Sequence, residues 1–336
     1  MDGSPPPDGV KNAYERRSSP VRNESGIIFA YDAQEVFLST LPASSHASAH
    51  ARSAEPAAPT PRTVTLRGLS GEPVPAKLVD VGPGAAAGPI GRPVVFLHGL
   101  VGLNDHWEDV VRMVRHKVRC IMLEIPLLQL RDADCGVEGV SVLTERFLED
   151  TLGIGKTSDE QVILVGNSFG GHVALRIALQ RPDMVGGLVL AGSSGLIERT
   201  MVKEITVRPS REWMRRKISE LFYDPEKHMR EADLDRAHKE LSERAGARAM
   251  VKLSRSARSD HLGERIQNIK APCMLIWGKQ DVVTPPEAAH EFLAKLPDAR
   301  IVWFDDCGHA PMIEKPDEFA RAILDFNAEL DRRAGA

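Results

Sequence analysis

"ILVGNSFGGHVAL", Ile163 to Leu175, decides how this chain is to be read. An apolar run ends at Gly166, and a serine, Ser168, stands in a bend with further glycines at Gly170 and Gly171. Apolar residues then resume at helical spacing. A bend that only reverses the chain would more often use Asn-Gly or Pro-Asp. Gly166-Asn167-Ser168-Phe169-Gly170 fits G-x-S-x-G between a strand and a helix, the context of a nucleophile elbow. Side chains at Gly166 and Gly170 would clash with the neighbouring strand and helix. The bend then lifts the Ser168 hydroxyl clear of the sheet's C-terminal edge.

The surroundings support a sheet there. "TVTLRG" and "AKLVDVG" alternate in polarity and read as a hairpin. "RPVVFLHG", "VRCIMLE", "QVILVG" and "MVGGLVLAG" are short apolar runs, as expected of strands covered on both faces. "HWEDVVRMVRH", "GVSVLTERFLEDTLG" and "GGHVALRIALQ" have helical spacing. The alternation breaks at residues 196–262, which are charge-rich and all helical, and resumes with "APCMLIWG", "PEAAHEFLAKL", "ARIVWF" and "KPDEFARAILDFNAEL". The fold expected is α/β: a mostly parallel, eight-stranded, doubly wound sheet in two parts, 61–195 and 263–336. A helical cap, 196–262, is inserted before the penultimate strand. Residues 1–60, rich in Pro, Ser and Ala, are expected to be a weakly ordered tail, with a short docking element at Ile27–Leu41. His46 and His50 in that tail are read as bystanders rather than metal ligands.

A serine hydroxyl is a poor nucleophile without a base. "VWFDDCGHAPMIEKP" supplies His309 just past a strand, and "MLIWGKQDVVTP" supplies Asp281 just past another. The order Ser168, Asp281, His309 suits a triad of nucleophile, orienting acid and base. Asp305 and Asp306 also lie near His309 but are read as shaping its turn. His98-Gly99 follows the strand in "VVFLHGLVG". The Leu100 and Phe169 N–H groups can point at one spot and form an oxyanion hole, with Phe169 at a helix start that favours negative charge.

With "HGLVGLNDHW", "GNSFGG", "WGKQD" and "CGHAP" in place, the chain resembles the α/β-hydrolase superfamily from about Arg62 to Leu330. The elbow and the "CGHAP" turn are similar to those of carboxylesterases, meta-cleavage product C–C hydrolases and cofactor-free haloperoxidase-like proteins. The resemblance implies a covalent acyl-enzyme, no cofactor and no metal, with His98 and Gly99 supporting the oxyanion loop. C–C hydrolases usually carry a tryptophan directly after the histidine; Ala310 stands there instead. Ser168 sets the chain apart from dehalogenases and epoxide hydrolases, which use an aspartate. An ester is therefore the expected substrate, with C–C hydrolysis of a vinylogous diketone as the alternative. A ligand-binding or signalling protein on a hydrolase fold is the reading from another class.

The totals are compatible. The 336 residues are 42% hydrophobic and 27% charged with a net charge of −4, so no basic field invites nucleic acid. No run approaches the ~18 apolar residues of a membrane span. Cys120, Cys135, Cys273 and Cys307 form no C-x-x-C pair and suit free thiols in a reducing, cytoplasmic setting. "GIGKT" fails as a P-loop because Asp150 stands where the first glycine belongs. His172 and Cys307 are expected to pack. The arginines of "SREWMRRK" and "KLSRSARS" are read as solvated helix faces, the alternative being that one reaches the pocket and meets an acidic substrate. Trp213, Met214, Leu221 and Phe222 are the candidates to line that pocket.

Overall fold

A computed structural model of the chain describes residues 60–83, 91–197 and 209–335. The expected tail before Thr60, with Ile27–Leu41, His46 and His50, lies outside the described residues. The hairpin forms as β1 (Arg62–Arg67) and β2 (Pro73–Val81), paired antiparallel with Val64 opposite Ala76. β3 (Val94–Leu97), β4 (Cys120–Glu124), β5 (Val162–Asn167), β6 (Val185–Ala191), β7 (Cys273–Gly278) and β8 (Ala299–Phe304) follow. They make one sheet in the order β1-β2-β4-β3-β5-β6-β7-β8, parallel from β4 through β8.

Every residue of β3 through β7 is buried, which is why these strands read as unbroken apolar runs. Alternate residues serve opposite faces. Val95, Leu97, Leu164, Leu188 and Leu275 enter one core; Val94, Phe96, Val165, Val189 and Ile276 enter the other. α1 (Glu108–Val114) and the C-terminal helix Pro316–Ala334 cover the second face, through Val110, Val111, Phe319 and Ile323. α2 (Val137–Arg146), α3 (Phe169–Gln180) and α8 (Pro286–Lys295) cover the first, through Leu143, Val173 and Phe292. The sheet is thus doubly wound, with its loop-bearing C-terminal edge left to carry function.

Between β6 and β7 the chain runs through α4 (Arg211–Ser219), α5 (Pro225–His228), α6 (Glu231–Ser242) and α7 (Arg244–Ser259). Ser210 and Asp224 start the first two by accepting from the Trp213 and Lys227 amides. Among the described residues no helix is long and apolar enough to cross a membrane. All four cysteines are free and buried.

Candidate active site

The strand–helix corner at Ser168 is tight. Ser168 sits at φ 53°, ψ −118°, a conformation that costs on the order of 1–3 kcal/mol for a residue with a side chain. A Cβ on Gly166 would lie 2.4 Å from the Gly170 carbonyl oxygen, and one on Gly170 would lie 2.3 Å from that of Leu97. Both obstacles are backbone, so neither can move aside. The Ser168 N–H donates to the Ala191 carbonyl at 3.1 Å, and the Ser194 N–H donates to the Ser168 carbonyl at 3.1 Å. The corner is thereby fixed to the end of β6.

His309 follows β8, and Asp281 follows β7. His309 Nδ1 lies 2.9 Å from Asp281 Oδ2, and both side chains are almost completely shielded from solvent. With Nδ1–H donated to the carboxylate, Nε2 is left as the acceptor that a serine hydroxyl needs. Asp281 Oδ1 accepts the Val283 and Thr284 N–H groups at 2.8 and 2.9 Å. Asp306 is exposed at a positive φ of 49°, in the turn before His309. Ser168 and His309 face one cavity, with no direct hydrogen bond between them among the described residues. Such contacts are often long without substrate and tighten when it binds.

The loop after β3 lies against the corner. A Cβ on Gly99 would come within 3.4 Å of Ser168 Cβ. Leu100 and Phe169 both line the cavity, and neither amide is engaged in the loop and cap hydrogen bonds around it. Phe169 opens α3, where the first N–H groups have no partner inside the helix. His98 is buried, which lowers its pKa, and its Nδ1 lies 2.8 Å from the Gly99 carbonyl.

Three residues without an assigned task in the sequence reading support this centre. Asn167 Nδ2 donates to the His309 carbonyl at 3.0 Å. Thr284 touches both Asp281 and His309. Glu314 is buried and accepts from the Tyr223 N–H at 2.7 Å and the Gly308 N–H at 2.8 Å. Burial raises the Glu314 carboxyl above its ordinary range, against the pull of these backbone amides. The His309 N–H meanwhile donates to the Leu221 carbonyl at 2.8 Å. The turn bearing His309 is therefore bound to the chain just after α4. Polarity at Asn167, Thr284 and Glu314 was visible in the sequence, but the contacts of Asn167 and Thr284 with His309 and of Glu314 with Tyr223 span 25 to 142 positions.

The cavity measures about 190 Å³. Its floor is the sheet edge with Ser168 and His309, and α4 and α7 supply much of its wall. Trp213, Met214, Leu221 and Phe222 all line it, as expected from the sequence. So do Lys217 and Arg258. Arg258 comes from "KLSRSARS", one of the two stretches for which a pocket role was the alternative.

Other contacts tie the same helices to the body. Arg236 Nη2 donates to the Val101 carbonyl at 3.1 Å, and His106 Nε2 lies 3.3 Å from Asp233 Oδ2. Asp105, His106 and Asp233 converge closely enough to suggest metal ligands, yet Arg230 and Arg236 already pair with the two carboxylates. At the far end of α7, Asp260 Oδ2 receives Arg176 Nη1 at 2.7 Å and lies 3.2 Å from His172 Nε2. Burial alone would raise the Asp260 carboxyl, but these partners outweigh it and hold it well below the ordinary range. The sign follows. A depressed carboxyl stabilises the fold above its unfolded value near 3.9, and that contribution fades as the pH falls toward the folded value. Asp260→Asn is expected to lower the thermal midpoint at pH 7 by the equivalent of about 1–3 kcal/mol. The gap from wild type should narrow between about pH 4 and pH 2.5. A gap of constant size across that range contradicts the assignment.

The doubly wound sheet with a serine corner at its C-terminal edge defines a hydrolase of the α/β type. The chain belongs to the alpha/beta hydrolase family, whose pattern it matches over residues 94–322. It is 29% identical over 254 residues to the 2-hydroxy-6-oxo-6-(2'-aminophenyl)hexa-2,4-dienoic acid hydrolase of Metapseudomonas resinovorans, covering 73% of this chain and 86% of that one. It is 29% identical over 289 residues to the 2-hydroxy-6-oxo-6-phenylhexa-2,4-dienoate hydrolase of Burkholderia cepacia, covering 79% and 95%. Among solved structures it resembles an alpha/beta hydrolase enzyme from a sediment metagenome of the Mar Chica lagoon, Morocco. That likeness has a TM-score of 0.59 and 29% identity, covering 76% of this chain and 96% of that one.

Proposed function

We propose that the chain is a serine hydrolase that cleaves a carbon–carbon bond beside a ketone in an acidic, conjugated diketone. Ser168 adds to the ketone carbon while His309 Nε2 takes its proton. Asp281 holds the imidazole in the required tautomer and stabilises its cation. The Leu100 and Phe169 N–H groups receive the oxyanion, braced by His98 and Gly99; one such donor is worth roughly 10²–10³ in turnover. The tetrahedral adduct collapses to an acyl-enzyme. The electron pair of the broken C–C bond passes into the conjugated leaving fragment, which takes its proton from His309. Water, deprotonated by His309, then adds to the acyl carbon, and Ser168 leaves with the proton.

The observation that carries the choice of bond is the likeness to dienoate hydrolases along most of their length. Arg258, and Lys217 in its ion pair with Glu220, border a mostly apolar cavity, in keeping with an acidic substrate. Residues 196–262 act as the cap that selects it, between the core parts 61–195 and 263–336. The buried free thiols fit a cytoplasmic setting. Ala310, where C–C hydrolases usually have tryptophan, favours ester hydrolysis as the second reading; the same serine chemistry serves both bonds. The test compares kcat/KM for 2-hydroxy-6-oxo-6-phenylhexa-2,4-dienoate with that for p-nitrophenyl esters of increasing acyl length. The dienoate is expected to be the better substrate by at least about tenfold, or 1.4 kcal/mol of transition-state binding. A preferred ester overturns the C–C reading in favour of the second.

A further inference from the structure

A fully buried hydroxyl stands inside the acid–base pair. Thr284 Oγ1 lies 2.8 Å from Asp281 Oδ2, 3.0 Å from the Gly192 carbonyl oxygen and 3.2 Å from His309 Nδ1. Gly192 closes in on the same group: at φ 49° its absent Cβ would lie 3.0 Å from both Asp281 Oδ2 and His309 Nδ1. A hydroxyl carries one proton. Gly192 and Asp281 both offer acceptors, and the carboxylate is nearer and charged, so it takes the proton. Oδ1 is occupied by two backbone amides, leaving Oδ2 shared between Nδ1–H and the hydroxyl.

We propose that Thr284 is a positioning residue that fixes the Asp281 carboxylate and sets the basicity of His309 through Oδ2. The inference rests on the roles proposed above for Ser168, Asp281 and His309. A hydrogen bond donated to Oδ2 draws charge from the atom that holds Nδ1–H, so the imidazolium is stabilised less than by an unshared carboxylate. The base stays available at lower pH. Valine at this position keeps the shape and removes the donor. The other ionisable groups about His309 are Cys307, Glu314 and Asp306 beside its own turn, and His106, Lys217 and Arg258 around the cavity. Burial pushes the Cys307 thiol far up, which keeps it neutral. None of these is altered by the substitution.

The experiment measures the rate of Ser168 modification by a fluorophosphonate against pH, in the full chain. Thr284→Val should move the acid limb upward by about 0.5–1 pH unit relative to wild type. Thr284→Ser, which restores the hydroxyl, should lie within about 0.2 unit of wild type. Thr284→Ala lacks the donor and adds no bulk, and it should move the limb in the same direction if the valine variant does not fold. A limb that stays in place or moves down in the variant without the hydroxyl overturns the proposal and leaves the hydrolase reading standing. Wild-type protein that shows no Ser168-dependent modification overturns both.

Discussion

Ser168→Ala is expected to lower turnover by about 10⁶-fold, because a nucleophile and its base act as a unit and the loss of either removes nearly all of their joint effect. What survives comes from the oxyanion donors and binding alone, which the substitution does not touch. The alanine keeps its place at φ 53° and the backbone bonds to Ala191 and Ser194, so the thermal midpoint should stay within a degree or two, about 0.5 kcal/mol. The checks are single-turnover kinetics on the dienoate, fluorophosphonate labelling and a thermal melt. Labelling that persists in the folded variant places the nucleophile elsewhere.

The second large effect separates two aspartates. Asp281→Asn is expected to cost about 10⁴ in turnover with the fold intact. The carboxamide can turn its NH₂ toward His309 and favour the tautomer with the proton on Nε2, which then cannot accept from Ser168. Asp281 is the residue within 2.9 Å of Nδ1; Asp306 sits exposed in the turn, three residues before the histidine. Asp306→Asn should change turnover by less than about threefold, as surface substitutions away from special features usually cost within about 0.5 kcal/mol. Measuring kcat and the thermal midpoint for both variants on one substrate decides the matter. An active Asp281→Asn beside an inactive, stable Asp306→Asn reverses the assignment.

Much of the fold was legible because the sheet is buried on both faces. A strand such as Val162–Asn167 is apolar from Val162 to Val165, and the Gly166-Asn167 pair that ends it marks where the chain turns the corner. Ser168, Asp281 and His309 were legible for a related reason: each follows a strand at the same edge, so sequence position alone places them close together. Lys217 was harder. On a helix with a charged surface, an outward lysine and one beside a cavity have the same local pattern, and only the packing of α4 over the sheet distinguishes them. Thr284 was harder still. A threonine three residues after an aspartate reads as a local turn former, and its contact with His309 depends on a loop 25 positions away.

The bonds from Glu314 to Tyr223 and from Arg236 to Val101 bear on how such proteins can be recombined. The helices between β6 and β7 invite exchange among relatives as a cassette, since both ends enter and leave the sheet at neighbouring strands. Here, however, the cassette and the host share side chains: Glu314 belongs to the host and grips the cassette, while Arg236 belongs to the cassette and grips the host. The Leu221 carbonyl that receives the His309 N–H asks only for backbone in the right place and would survive most exchanges. The two charged residues would not, because a chimera lacking either leaves a desolvated group stranded at the seam. Successful chimeras of this family should therefore be those in which both residues are transplanted or retained together with their partners.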